Sequence, residues 1–250
     1  MTADSMSFTY RELPPSAALA PFVRCFWTLE GELPPVEERI VPDGCFELVI
    51  HRGEPFRQNG ELQKPALLIG EVRRATVVTP SRHCDVLGVR FRPGGAAAFF
   101  RFPMSEVRDA ILPAEEVLRL DGRDLVQLLL ERRTPPRQWR AVAAAVEIIE
   151  RRKGNVRIGA LAKHIGVSER TLQRSFEESV GILPKTFARL TRFQAHLAAP
   201  ERDAGYVDAS HLTRDYHEFA GVTPAAYERE RHELRDNFAG NVQDADGTLL

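Results

Sequence analysis

The sequence predicts an α+β protein, with a strand-rich N-terminal domain followed by an all-α C-terminal domain that carries two helix-turn-helix units. Three observations carry this. Short β-branched and aromatic runs separated by Gly and Pro turns fill residues 20–91. A breaker, Thr134-Pro135-Pro136, sets them apart from a stretch of helical periodicity. Inside that stretch, residues 158–176, IGALAKHIGVSERTLQRSF, spell two short helices around a tight turn. A chain of 250 residues with 43% hydrophobic content has room for two ordinary domains, each with a core.

Taken in order, residues 1–20 contain Pro14-Pro15 and read as a loose lead-in. Residues 22–29, FVRCFWTL, read as a strand that Pro34-Pro35 breaks. Residues 39–41 and 45–50 read as strands around a turn at Pro42-Asp43-Gly44. Residues 66–69, 72–79 and 85–91 add further strands, and the spacing suggests an antiparallel sheet or small barrel. Gly94-Gly95 opens a short apolar helix, AAAFFRF, which Pro103 stops. Residues 103–133 read as helical pieces, with Leu125, Leu128 and Leu129 on one face. The boundaries expected are 1–136 for the strand-rich domain, 137–235 for the helical one and 236–250 for a flexible tail.

The helical half begins with a helix over 137–153 that turns Trp139, Val142, Val146 and Ile149 inward. Leu161, Ala162 and Ile165 give the next, short helix an apolar face. Gly166 suits a left-handed helix end, and Val167 can plug the gap behind it. Ser168 is a good N-cap, and Glu169 sets negative charge in the positive first turn of the second helix. Leu172 and Phe176 form its buried stripe, while Arg170, Gln173 and Arg174 on the other face can donate to base edges or phosphates. That is the layout of a helix-turn-helix whose second helix enters a DNA major groove. Gly181 ends this helix and Pro184 starts the next, which buries Phe187, Leu190 and Leu197 before Pro200. The pattern then repeats: Leu172, Phe176, Gly181, Pro184 and Phe187 are matched at equal offsets by Leu212, Tyr216, Gly221, Pro224 and Tyr227.

Charge supports the same reading. The net charge is −1, but residues 151–192 hold 10 Lys/Arg against 3 Asp/Glu, whereas residues 1–136 hold 17 against 19. A clustered positive face is what phosphate binding needs. No run of about 18 apolar residues is present, so no membrane span is expected. The N-terminal residues MTADSMSFTYREL lack the features of a secretory signal. Three cysteines, Cys25, Cys45 and Cys84, without a CxxC pair suggest a reduced, cytoplasmic setting. His83, Cys84, Cys45, His51 and Glu47 would be the ligands of a metal-dependent barrel, but their spacing fits no compact motif. A redox-sensing domain fused to a DNA-binding module finds no CxxC support. There is no Gly-rich phosphate loop and no readable Ser/His/Asp arrangement. No catalytic or metal residue is therefore assigned, no cofactor is expected, and the chain is not read as an enzyme.

The motifs LAKHIGVSERTLQRSF, the Gly181–Pro184 restart, RLTRFQ at 189–194 and GYVDASHLTRDYHEFAGVTPAAY at 205–227 resemble the AraC/XylS family of bacterial transcription regulators over about residues 138–232. The resemblance implies two helix-turn-helix units joined by a long helix, with double-stranded promoter or operator DNA as partner. Residues 20–133, with VPDGCFELVI and GVRFRPGGAAAFF, look like the N-terminal domain of one branch of that family. By analogy this is a sensor-like domain for a small-molecule effector or for homodimerisation, and the family implies a contact with RNA polymerase. By the same resemblance, base readout in the first unit falls on Arg170, Gln173 and Arg174, since Arg pairs bidentately with guanine and Gln with adenine. Lys185 and Thr186, at a helix start, are assigned to phosphate. The matching positions of the second unit are Ser210, His211, Thr213 and Arg214.

One departure stands out. Only PERDAG, 200–205, separates the linker helix from Gly205, about ten residues short of the family pattern, the length of a missing helix and loop. Residues 193–235 also hold 5 basic against 8 acidic side chains. Either residues are absent near 199–201, which the intact flanking motifs favour, and the backbone breaks between about Leu197 and Asp203. Or the second unit is degenerate, with Leu212 and Phe219 exposed or covered by a neighbouring molecule.

Overall fold

The computed structural model describes residues 7–119, 124–200, 205–206 and 208–238, with 233–238 described by backbone alone. The strands among them are β1 (Phe8–Leu13), β2 (Val23–Glu32), β3 (Glu38–Ile40), β4 (Glu47–His51), β5 (Arg57–Gln58), β6 (Glu61–Leu62), β7 (Ala66–Ile69), β8 (Thr76–Thr79), β9 (His83–Phe91) and β10 (Ile111–Pro113). The helices that follow are α1 (Ala114–Val117), α2 (Leu125–Arg132), α3 (Trp139–Arg151), α4 (Ile158–His164), α5 (Glu169–Val180), α6 (Pro184–Ala198), α7 (Ala209–Asp215) and α8 (Pro224–Phe238). The fold is thus α+β, with the strands first and the long helices last.

The strands form two antiparallel sheets, one ordered β1-β2-β9-β4-β7-β10 and the other β3-β8-β5-β6. Side chains alternate along a strand, so the larger sheet feeds two cores. Phe26, Leu48, Leu68, Val89 and Phe91 pack with Phe99, Phe100 and Leu129 on one face. Cys25, Trp27, Leu29, Val49, Cys84 and Val86 pack on the other, where Phe56 and Leu33 cover them. Gly88 sits opposite Trp27 across the β2–β9 pair, and the indole lies over it. A Cβ there would be 1.9 Å from the ring, so only glycine admits this packing.

Several sequence expectations need correction. Residues 8–13 are not a loose lead-in but an edge strand; their mostly exposed, polar side chains hide it from a search for apolar alternation. The strand expected over 72–79 shrinks to β8, because Arg73 and Arg74 form a bend held by Asp109. The helix expected after Gly94-Gly95 is a single tight turn over Ala96–Ala98. The region 103–133 includes β10, which pairs with β7 as well as supplying helical pieces. Trp139 turns toward the sheet core, its ring 4.7 Å from that of Phe22, rather than into the helical core that Val142, Val146 and Ile149 join. The tail expected from 236 lies outside the described residues beyond Phe238, up to which α8 continues.

The helical core gathers Val146, Leu161, Leu172, Phe176, Phe187 and Phe193 with Tyr216 and Phe219. It is tied to the sheets at several points. Arg24 reaches Glu150 at 3.2 Å, and the Arg108 guanidinium donates to the Gly181 carbonyl at 2.8 Å. Gly44 lies against Phe187 and Leu190. Glu71 is buried in this interface at 1% exposure, and neither carboxylate oxygen has a hydrogen-bond partner among the described residues. Burial, then the charges of Asp109 and Asp43, push its pKa up to about 8, against the opposing pull of Arg73 and Arg108.

Two outcomes are expected from this packing. Gly88→Ala forces the Trp27 ring off the sheet and should cost about 1–3 kcal/mol, read as a lower urea midpoint with an unchanged slope; an unshifted midpoint would show that the ring moves freely. For Glu71 the folded state holds its proton up to about pH 8, while the unfolded state releases it near the ordinary value of 4.5. Stability should therefore fall as pH rises through that window, the opposite of a salt-bridged carboxylate. Glu71→Gln should flatten the decline in urea midpoints measured at pH 5, 7 and 9, and an equally steep decline in the variant would refute the assignment.

Candidate nucleic-acid interface

The turn and caps of the first unit are built from local interactions. α4 ends at Gly166, whose φ of +77° suits glycine. The Val167 N–H donates to the Ala162 carbonyl at 3.0 Å and the Gly166 N–H to the Lys163 carbonyl at 3.2 Å, a pair of hydrogen bonds that closes the helix end. Val167, half-buried, packs into the helical core. Ser168 then caps α5, its hydroxyl accepting from the Thr171 N–H at 3.1 Å. Leu172, Ser175, Phe176, Ser179 and Val180 are buried along α5. Arg170 and Arg174 are exposed, and Gln173 is half-buried beside them. Among the described residues their partners are weak: Gln173 to Glu169 at 3.3 Å and Arg174 to Glu178 at 3.7 Å. Such exposed pairs hold their members loosely, so these side chains are available to an outside partner. Gly181, at φ +88°, stops α5, and Pro184 opens α6 with Lys185 exposed and Thr186 half-buried in its first turn.

The second unit is held differently. Asp208 caps α7, accepting from the His211 N–H at 2.9 Å, and this bond above all lowers its carboxyl pKa. Ser210, His211 and Arg214 are exposed and Thr213 is half-buried. After Asp215 the helix widens into one π-turn, Tyr216–Ala220, closed by the Gly221 N–H to the Tyr216 carbonyl at 2.9 Å.

The backbone break expected between about Leu197 and Asp203 falls on residues that lie outside the described ones, whereas the exposure expected of the second unit does not hold. Residues 201–204 and 207 are the ones not described there. Phe219 is 1% exposed and Leu212 is half-buried against the helical core. The linker helix and the sheets supply the cover. The Phe193 ring lies 5.5 Å from that of Phe219, and the Arg189 guanidinium sits 5.4 Å above the same ring. Arg189 also binds Asp215 at 2.6 Å and Glu218 at 2.7 Å, and Tyr206 donates to Asp215 at 3.0 Å. From the sheets, the Ala75 N–H donates to the Phe219 carbonyl at 2.7 Å. Arg39 donates to the Ala220 carbonyl at 3.2 Å and pairs with Glu230 at 2.7 Å. Sequence reading missed Arg189, Asp215, Tyr206 and Arg39. Arg189 stood inside the RLTRFQ motif, while Arg39 and Ala75 gave no signal, because their partners lie far away in the chain.

The cysteines and histidines of the sheets do not assemble. Among the described residues no group of three or more His, Cys, Asp or Glu is placed to hold a metal ion. Cys25, Cys45 and Cys84 are buried free thiols. Burial pushes Cys25 and Cys84 up to about 11 and Cys45 well above its ordinary range, which leaves little reactive thiolate. Among the described residues no helix is long and apolar enough to cross a membrane.

Comparison with known proteins gives two family matches and one similar solved structure. Residues 161–230 match a family described as a helix-turn-helix domain, and residues 11–113 match one described as a domain of unknown function (DUF6597). Over 91% of its length the chain is similar to 96% of the chain of unsaturated-fatty-acid-bound wild-type ToxT from Vibrio cholerae, at 8% identity and a TM-score of 0.39. No curated protein matches. Residues 161–230 are an AraC-type helix-turn-helix domain, of the kind that binds DNA in transcription regulation.

Proposed function

We propose that the chain is a sequence-specific transcription regulator that acts by binding promoter DNA in the cytoplasm, without catalysing a reaction. In this reading residues 1–136 sense a small molecule, residues 137–235 bind DNA, and residues 236–250 form a tail. The observation that carries it is the outer face of α5, where Arg170, Gln173 and Arg174 stand on a capped, core-anchored helix within the most basic segment of the chain. Arg170, Gln173 and Arg174 read base edges in the first major-groove segment. Ser210, His211, Thr213 and Arg214 face the second, and Lys185 with Thr186 hold phosphate at the start of α6.

The effector belongs to the apolar face of the larger sheet around Trp27. Trp27 Nε1 and His51 Nδ1 are buried there without hydrogen-bond partners among the described residues, and a mixed polar and apolar ligand would supply them. His51 is also the first member of a polar chain. Its Nε2 bonds Gln63 at 2.9 Å, Gln63 donates to Gln58 at 3.0 Å, and Gln58 donates to Thr76 at 2.9 Å. Thr76 adjoins Ala75, which holds the second unit, so the chain offers a route from ligand to recognition helix. Selection of bound duplexes by the purified protein, with and without a metabolite pool, tests both halves of the reading. No enrichment under either condition would refute it.

Arg174→Ala should lose about 1–3 kcal/mol on the preferred duplex and relax one base position. Lys185→Ala should weaken binding to all duplexes alike and flatten the salt dependence. Equal, sequence-independent losses in both variants would reassign Arg174 to phosphate.

A further inference from the structure

The acidic second unit faces a cleft of about 860 Å³ between α7 and the bend that joins β7 to β8. Arg73 and Arg74 on the bend face Arg214 and His217 on the recognition unit. Asp109 and Glu218 are the carboxylates on its walls, and both are committed: Asp109 to Arg73, at 2.7 Å from Nε, and Glu218 to Arg189, at 2.7 Å. Arg74 and Arg214 are exposed and, among the described residues, carry no such pairing.

The bend is held at both ends. The Arg73 N–H donates to Asp109 at 2.8 Å, and Asp109 in turn donates its own N–H to the Glu71 carbonyl at 2.9 Å. Two residues on, the Ala75 N–H is fixed to the Phe219 carbonyl of the recognition unit. Arg74 lies between these anchors, so its position relative to Arg214 is set by backbone rather than by a flexible loop. A small-molecule pocket is mostly apolar; here the apolar lining amounts to Val72, Ala75 and Ile111 among cations and amides. The composition instead suits a strand of phosphodiesters running past the exposed face that carries Ser210, His211 and Arg214.

We propose that Arg74, in the strand-rich half of the chain, contacts the DNA backbone beside the second recognition helix and supplies phosphate-binding charge that the helix-turn-helix unit itself lacks. The proposal rests on the DNA-binding reading above. It places part of the DNA surface outside the residues that match the helix-turn-helix family, which begin at 161.

The test uses the full chain, a duplex obtained by selection, and affinities measured between 50 and 300 mM salt. Each phosphate contact contributes about 0.9 to the slope of log affinity against log salt. Arg74→Ala should lower the slope by about that much and weaken binding without altering the preferred sequence. Arg74→Lys should keep the slope. Arg11→Ala, on β1 at the far edge of the sheet from β10, should leave it unchanged. A wild-type slope in Arg74→Ala would overturn the proposal while leaving the DNA-binding reading intact. If inorganic phosphate then raised the melting temperature of the wild type but not of Arg74→Ala, the cleft would belong to a free anion. An equal drop in Arg11→Ala would also overturn it, by tracing the effect to overall charge. Absence of salt-dependent duplex binding by the wild type would defeat the functional reading and this inference together.

Discussion

The second recognition unit depends on the ion pair between Arg189 and Asp215. Asp215 is 3% exposed, a carboxylate that would be costly to bury alone. Burial also works against the Arg189 charge, but its bonds to Glu218 and Asp215 more than offset that and hold the guanidinium above its ordinary range. The pair does not make the protein stable by itself; a buried ion pair often contributes little net free energy. What it sets is register. Arg189 lies on α6, directly after the first unit, and its two carboxylate partners are three residues apart on the second. With the same guanidinium over Phe219, one side chain fixes the rotation and the height of α7 against α6. Removing Arg189 would leave Asp215 as a buried charge and release that register.

This arrangement explains how a shortened unit keeps its core. In the first unit α4 packs behind α5 and shares its buried stripe. No helix stands in the equivalent place among the described residues before α7. Helices as short as α7 are marginal in water unless a partner covers their apolar side. The linker helix covers one flank through Phe193 and Arg189, and the sheets reach the far end through Arg39, Val41 and Ala75. The brace has moved from within the helical half to the strand-rich half.

That displacement also marks what the sequence could and could not convey. The first unit was legible because its determinants sit within a few residues of one another. Gly166 ends a helix, Ser168 caps the next, and Leu172 with Phe176 gives the buried stripe. The paired offsets of the second unit were legible for the same reason. Its support was not, because Arg39 and Glu230 are 191 positions apart and no local pattern joins them. The exposure expected of Phe219 failed on this point: the expectation counted only neighbours within the helical half. In the sheets, β2 and β9 announced themselves by alternating apolar residues, whereas β1, with one apolar face barely covered, did not. The polar orphans Trp27 Nε1 and His51 Nδ1 depend on cross-strand register, which the sequence leaves open.

The two recognition helices are therefore positioned by different parts of the fold. The angle of α5 is fixed by α4, its own caps, the helical core and the tight turns at Ala96–Ala98 and Met104–Val107, with Arg108 adding one bond at Gly181. The far end of α7 is fixed by hydrogen bonds from β3 and from the residue before β8. β3 and β8 pair with one another, Glu38 to Val78 and Ile40 to Thr76, so they move as one piece of sheet. A shift of that piece would displace the second helix while leaving the first in place. For a duplex that must meet both helices in adjacent groove segments, the spacing between them is the quantity that matters. In this chain that spacing is a property of the interface between sheet and helices, and whatever alters the small sheet acts on it directly.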